Sequence, residues 1–245
     1  MDPAYYVAAG SLKARAYQLD VVANNLANAQ TVGYKTERCF FTVFNKAKDV
    51  GRGLPLSPFV NDGTVYLQKD MDFTQGPVKL TQRDLDFAID GNAFFTIQTP
   101  QGPRLTRDGR FTLGPSGRLE TFDGMAVLGK NGPIMLNTQG ADPKFRSDGT
   151  VYQGNTFVDQ LDLKAYGDTS PLTQIGGGRF DPGDAQEIPM KGRIIQGYLE
   201  QSGVDMPTAM VEMIRLNRLF EMSQKIASTL TNDLDARSLS IGNTQ

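Results

Sequence analysis

Histidine is absent from the 245 residues, and Cys39 is the only cysteine. Without imidazole no Ser-His-Asp or Cys-His arrangement can be built, nor a zinc site from the usual imidazole and thiolate ligands. A single thiol cannot form an intramolecular disulfide, so cysteine usage does not fix the redox compartment. In "RCFFTVF" Cys39 reads as a small buried apolar residue. Charge of one sign is also lacking. Twenty-five Lys and Arg stand against 27 Asp and Glu, a formal net charge of −2, and they are too scattered to make a basic stripe for nucleic acid. No run approaches the ~20 apolar residues of a membrane span, so no membrane insertion is expected. The N-terminus "MDPAYYVAAGSLKARAYQLD" has no cleavable secretory pattern, which by itself predicts a cytosolic protein.

What is present is an ordinary soluble composition, 39% hydrophobic and 21% charged, in a chain long enough for one large domain or two smaller ones. Near the start, Tyr5, Ala9, Leu12, Ala16, Leu19, Ala23 and Leu26 alternate spacings of four and three, the seam of a coiled coil. Pro3 suits a first helical turn and Gly33 a left-handed stop, so a helix is expected over about 4–29, roughly 39 Å long. The other end repeats the pattern with Ala209, Met213, Leu216, Phe220, Ser223, Ala227, Leu230 and Leu234. Val211, Ile214, Leu219, Met222 and Ile226 widen that apolar face beyond a two-stranded seam. Asp205 and Pro207 mark its start, and helix is expected to about residue 236.

Between the ends, Gly and Pro recur around short alternating runs such as "DFAIDGNAFFTIQT" and "GRLETFDGMAVLG". Asp108-Gly109, Asp123-Gly124 and Asp148-Gly149 are tight-turn signals between strands. The fold class expected is α+β: a discontinuous, coiled-coil helical domain from both chain ends, with a β-rich domain inserted. By residue, 1–35 supplies the first helix, 36–64 with "GRGLPLSP" an irregular linker or arm, 65–200 the β-rich domain and 201–245 the second helix. Because neither helix alternates with strands, each most economically buries its apolar face on the other and on copies from neighbouring chains. Each Leu-sized seam residue so buried contributes on the order of 1.5–3 kcal/mol.

Within the first helix lie Asn24, Asn25 and Asn28 in "ANNLAN", although Asn is a poor helix-interior residue. Asn24 and Asn28 share a stripe with Asp20, beside the apolar seam. The residues alone allow two readings: solvated or helix-ending side chains, or amides bonded to neighbouring helices that fix register. Other motifs invite chemistry and are better read as structure. Asp84, Asp86 and Asp90 have the wrong spacing for a calcium loop, with Phe95 where its Glu belongs. "QIGGGRF" lacks the Lys-Ser/Thr of a phosphate loop and reads as a flexible loop. The carboxylates Asp70/Asp72 and Asp184/Glu187 read as exposed turns, and a carboxylate-dependent hydrolase is a distant alternative. The Met run Met206, Met210, Met213 and Met222 suits ordinary packing or adaptable contacts alike. No catalytic residue, metal or cofactor is expected.

"VVANNLANAQTVGYK" resembles the N-terminal signature of the flagellar rod and hook axial proteins. "LDFAIDGNAFF" with "LTRDGRFTLGPSGRLETFDGMAVLG" is similar to that family's central β segment, and "QGYLEQSGVDMPTAMVEMIRLNRLFEMSQKI" to its C-terminal helical signature. The likeness covers 4–35, about 74–135 and 192–235; within the family, length and "VLGKNGPI" favour a basal-body rod protein of the FlgF/FlgG type, and the proximal-rod FlgF type over the distal one. Gln30, Asn92-Ala93, Gly203, Asn217 and Leu219-Phe220 depart from the family pattern and bear on the subtype. The resemblance implies a structural subunit that polymerises through its terminal helices into a rod crossing the periplasm and transmitting torque. It implies export by the flagellar type III apparatus without a cleaved signal, which overrides the cytosolic reading. Implied partners are like copies and other rod and hook subunits. The implied assembly interface is Leu12, Leu19, Asn24, Asn25, Leu26 and Asn28 on the first helix, with Met213, Leu216, Phe220 and Leu230 on the second. A finite adaptor or secretion chaperone that binds partner helices is the alternative.

Overall fold

Pro3 opens the first helix, α1 (Pro3–Ala27), where its missing N–H deprives no hydrogen bond. The computed structural model describes residues 3–43 and 65–242, with side chains over 10–40 and 69–229. The second helix, α2 (Met206–Gly242), carries Pro207 in its first turn for the same reason. Its 37 residues make it roughly 55 Å long at 1.5 Å per residue. Among the described residues these two helices accompany nineteen strands, an α+β fold.

The chain divides into two compact units. The first holds residues 1–27, 37–70 and 206–245, so it is assembled from three stretches of sequence. In it α1 packs along α2, and strand β1 (Thr36–Val43) pairs with β2 (Val65–Asp72) in a two-stranded sheet. Residues 36–43, expected as linker, are therefore strand: "TERCFFTV" is rich in β-branched and aromatic side chains, and the Gly- and Pro-rich composition begins only further on. The remainder of that arm, 44–64, lies outside the described residues.

The second unit holds 28–36 and 71–205. Its main sheet runs β15 (Thr173–Gly176), β16 (Arg179–Asp181), β6 (Gly102–Thr106), β5 (Ala93–Thr99), β9 (Ala126–Gly129), β8 (Leu119–Thr121) and β7 (Phe111–Leu113), all neighbours antiparallel. At its centre lies β5 (Ala93–Thr99), six of whose seven residues are buried. Because side chains alternate across a strand, the double Phe of "NAFF" serves two cores. Phe95 joins Phe87, Ile89, Ile97, Phe111 and Val127, meeting the Phe111 ring at 5.1 Å. Phe94 joins Leu105, Tyr166, Leu172 and Phe180, with Phe180 at 5.8 Å. A strand buried on both faces reads as a near-continuous apolar run, and "AFFTI" is one, broken by the buried Thr96.

Two of the three Asp-Gly signals close hairpins. Gly124 (φ 78) turns β8 (Leu119–Thr121) into β9 (Ala126–Gly129), and Gly149 (φ 85) turns β11 (Pro143–Phe145) into β12 (Thr150–Gln153). Asp108-Gly109 does not, since β6 (Gly102–Thr106) and β7 (Phe111–Leu113) pair with other strands. Gly109 is required there for closeness: a Cβ would stand 1.9 Å from the Phe87 carbonyl oxygen. "QIGGGRF" is also no loose loop. It is the hairpin of β15 (Thr173–Gly176) and β16 (Arg179–Asp181), with Gly176, Gly177 and Gly178 all at positive φ.

Candidate functional site

The two sides of the second helix of the pair differ in exposure. On α2 the four-and-three positions Ala209, Met213, Leu216, Phe220, Ser223 and Ala227 are the sheltered ones, and Leu216 is 3% exposed. On α1, Leu12, Leu19 and Leu26 are half-buried and Val21 is buried. Outside the helices, the Tyr34 carbonyl in the segment after α1 accepts the Gly203 amide in the segment before α2 at 3.0 Å. The widening residues behave otherwise. Val211, Ile214, Met222 and Ile226 are each more than half exposed, as is Met210 beside them, while Leu219 is half-buried. Val211, Ile214, Leu219 and Met222 line a shallow apolar groove rimmed by Arg215 and Arg218. Leu230 lies within α2, but its side chain is outside the described ones.

The three asparagines have three different settings. Asn24 faces outward. Asn28 follows the last residue of α1; its carbonyl accepts the Thr31 amide at 3.0 Å, and its side-chain oxygen accepts the Thr31 hydroxyl at 3.2 Å. Asn25 is buried, and its amide grips the backbone of Glu37: Nδ2 donates to the Glu37 carbonyl at 2.7 Å, and Oδ1 accepts the Glu37 N–H at 3.0 Å. One side chain thus satisfies both polar groups of a strand residue, as a neighbouring strand would. The position expected to reach other chains is used inside this one. The same corner holds Lys69, which pairs with the Glu37 carboxylate and lies 5.1 Å over the Tyr17 ring. Cys39 is half-buried there, and burial with Glu37 alongside lifts its thiol above the ordinary range, a poorly reactive cysteine.

Beyond α1 the signature turns into the β unit and ends on a buried knot of charge. Lys35 donates to Glu200 Oε1 at 2.6 Å and to the Thr74 carbonyl at 2.9 Å. Glu200 Oε1 also accepts the Gly76 amide at 3.0 Å, while Oε2 accepts Arg107 Nη1 at 3.2 Å. Arg107 spans onward to the Gly91 carbonyl at 2.7 Å and lies 4.9 Å over the Phe94 ring. All three side chains are at most 3% exposed. The backbone reinforces them, as the Gly33 amide donates to the Glu200 carbonyl at 2.8 Å. The unit is entered or left near residues 28, 36, 71 and 205, and the knot binds residues close to the last three of these crossings. Pairwise spacing could not reveal it, although Lys35, Arg107 and Glu200 sit inside "VGYK", "LTRDG" and "YLEQS".

Burial drives the Lys35 ammonium below its ordinary 10.5, with the Glu200 carboxylate pulling it back and Arg107 adding to the depression. Between the lowered folded value and 10.5 the unfolded chain therefore holds the extra proton, so stability rises with pH across that interval. Urea unfolding from neutral pH to about 10.5 should show this rise relative to Lys35→Met, in which it disappears; equal pH profiles would contradict it.

The acidic motifs are used locally. Asp90 pairs with Arg193 at 3.2 Å, Asp72 accepts the Thr74 amide at 3.0 Å, and Glu187 pairs with Lys164 at 3.4 Å. Among the described residues no group of three potential ligands could hold a metal, and no helix is long and apolar enough to cross a membrane.

The chain's likenesses follow these parts. Residues 6–35 match the family model "Flagella basal body rod protein", 88–153 the "Flagellar hook protein FlgE/F/G D1 domain", and 195–240 the "Flagellar basal body rod FlgEFG protein C-terminal". The chain is 30% identical to the flagellar basal-body rod protein FlgF of Mesorhizobium japonicum, over 99% of each chain. It is 34% identical to the FlgF of Rhizobium meliloti over 90% of each. The flagellar basal-body rod protein FlgG of Bacillus subtilis is 31% identical, over 86% of this chain and 89% of its own.

Proposed function

The chain belongs to the flagellar basal-body rod proteins of the FlgF/FlgG type, and on that premise we propose that its two end helices are the surface through which subunits join into the rod. It is a structural subunit of the basal body, not an enzyme. The observation that carries the proposal is the outward stripe of α2, five large apolar side chains each more than half exposed. Buried against a neighbour, each contributes on the order of 1.5–3 kcal/mol. A helix with apolar residues on two opposite faces has one face for its own chain and one for another.

Several finer features belong to this reading. The paired ends act as a coiled coil, and the subunit is of the proximal, FlgF type. It leaves the cell body through the flagellar type III apparatus without a cleaved signal and stands in the part of the rod that crosses the periplasm. Like copies and other rod and hook subunits are its neighbours, and torque passes through their contacts. The joining contact is heterologous and open, because a closed pair cannot lengthen an axis. Of the residues expected at the interface, Leu12, Leu19, Leu26, Met213, Leu216 and Phe220 hold the helix pair in shape, Asn24 faces a neighbour, and Asn25 and Asn28 shape the end of α1.

Leu19→Asp or Leu26→Asp puts a charge into the packed seam. Cells carrying either variant should be non-motile and lack rods beyond this subunit, while the purified chain keeps the circular dichroism of its β unit. Normal swimming would overturn the proposal, as would a wild-type chain that forms only a finite complex with other rod subunits.

A further inference from the structure

The β unit holds an open cleft of about 700 Å³, lined by residues 142–146 along β11 and by Asp84 and Gln196 from other strands and turns. The small sheet there runs β11, β12 and β13 (Thr156–Gln160), so β11 is an edge strand. Register fixes which way its backbone points. The Arg146 amide donates to the Thr150 carbonyl at 2.9 Å, and Phe145 opposes Val151. Phe145 therefore falls where N–H and C=O face away from β12. The other wall is built alike. Gly197 donates to the Asp86 carbonyl at 2.8 Å, in line with the pairing of β18 (Gly192–Gln196) to β4 (Phe87–Gly91). That register turns the N–H and C=O of Gln196 away from β4. The two edges touch at one end, where the Ile194 amide donates to the Ser147 carbonyl at 2.9 Å. Beyond that bond they part around the cleft, and among the described residues neither Phe145 nor Gln196 makes a main-chain hydrogen bond into it.

The side chains along β11 give the cleft a charge order. Phe145 packs inward, with its ring 4.4 Å from that of Phe87, so Asp142, Lys144 and Arg146 stand on the opposite face. Arg146 lies 4.4 Å over the Tyr152 ring, and among the described residues neither it nor Lys144 forms an ion pair. We propose that the cleft takes an extended peptide segment of another protein, added as an antiparallel strand along β11. The segment carries two carboxylates two residues apart, opposite Arg146 and then Lys144, and a basic residue two further on, opposite Asp142. The ligand is a peptide because the free groups on both walls are main-chain donors and acceptors, which an extended backbone matches at strand spacing. Charge at alternate positions then selects which peptide enters. The proposal is independent of how subunits join through their helices.

The test uses the purified full-length chain and the fluorescent peptide Thr-Glu-Thr-Glu-Thr-Lys-Thr, followed by anisotropy at low salt. The peptide should bind, and the charge-exchanged Thr-Lys-Thr-Lys-Thr-Glu-Thr should bind about tenfold more weakly. N-methylation of the threonine between the two glutamates removes its bond to the Phe145 carbonyl and leaves charge unchanged; it should weaken binding about tenfold as well. Lys144→Glu combined with Arg146→Glu should reverse the preference between the two peptides, which misfolding cannot do. No binding at about 1 mM peptide would overturn the proposal. So would an N-methylated peptide that binds as well as the parent, a double variant that keeps the original preference, or a chito-oligosaccharide that binds better than either peptide.

Discussion

Glu200→Gln is expected to destabilise the chain by about 3–5 kcal/mol, the usual effect of removing one partner from a buried ion pair. The substitution keeps shape and volume, so packing around β19 (Tyr198–Glu200) is unchanged. What is lost is the carboxylate on which Lys35 and Arg107 both converge. Glutamine has one acceptor oxygen, and that oxygen cannot serve Lys35 and the Gly76 amide on one side and Arg107 on the other. Two cations then remain in an interior that strongly disfavours unpaired charge. Lys35 can relieve part of this by releasing its proton, so Lys35→Met combined with Glu200→Gln should be less damaging than the sum of the two. Urea unfolding of the full chain, followed by hydrogen exchange at the Phe95 and Ile97 amides, gives both quantities. A loss below about 1 kcal/mol in the single variant would mean that the knot contributes no more than a surface pair.

The parts legible in the sequence and the parts that were not differ in range. Four-and-three spacing identified the sheltered side of α2, because Met213, Leu216 and Phe220 interact with the helix pattern itself and periodicity is local. The double Phe in "NAFF" and the Asp-Gly turns at Gly124 and Gly149 were readable for the same reason. The knot was not, since Lys35 and Glu200 are 165 residues apart and Arg107 and Glu200 are 93 apart. No short window contains that pairing. Asn25 was ambiguous for a subtler reason: an amide on a helix next to an apolar seam has the same local pattern whether it meets another chain or Glu37 of its own, 12 residues on. Strand β1 was hidden because the Gly- and Pro-rich text after it coloured the whole segment. Asp108-Gly109 carried a hairpin signature, but there the glycine serves close contact with Phe87. The dipeptide alone does not separate those two uses of glycine.

Gly33 serves both uses at once, and its replacement is the second large effect. Its φ is 68°, a conformation that an L side chain adopts at about 1 kcal/mol or more. A Cβ there would also lie 2.5 Å from the Arg107 carbonyl carbon and 2.7 Å from the Asp108 nitrogen. Those are backbone atoms, so no rotamer change relieves the clash, and forced overpacking adds about 1–3 kcal/mol. Gly33→Ala should therefore destabilise the chain by about 2–4 kcal/mol. The shift would reach function, because the Gly33 amide holds the Glu200 carbonyl and Arg107 holds the Glu200 carboxylate. Gly33→Asn separates the two causes. Asparagine tolerates the left-handed conformation better than alanine, yet its Cβ occupies the same place. If closeness to Arg107 dominates, the two variants lose similar stability and both incorporate poorly into rods. If Asn recovers most of the loss, backbone conformation alone explains the glycine. The close approach of "TVGYK" to "LTRDG" would then not be what fixes where α1 ends and the β unit begins.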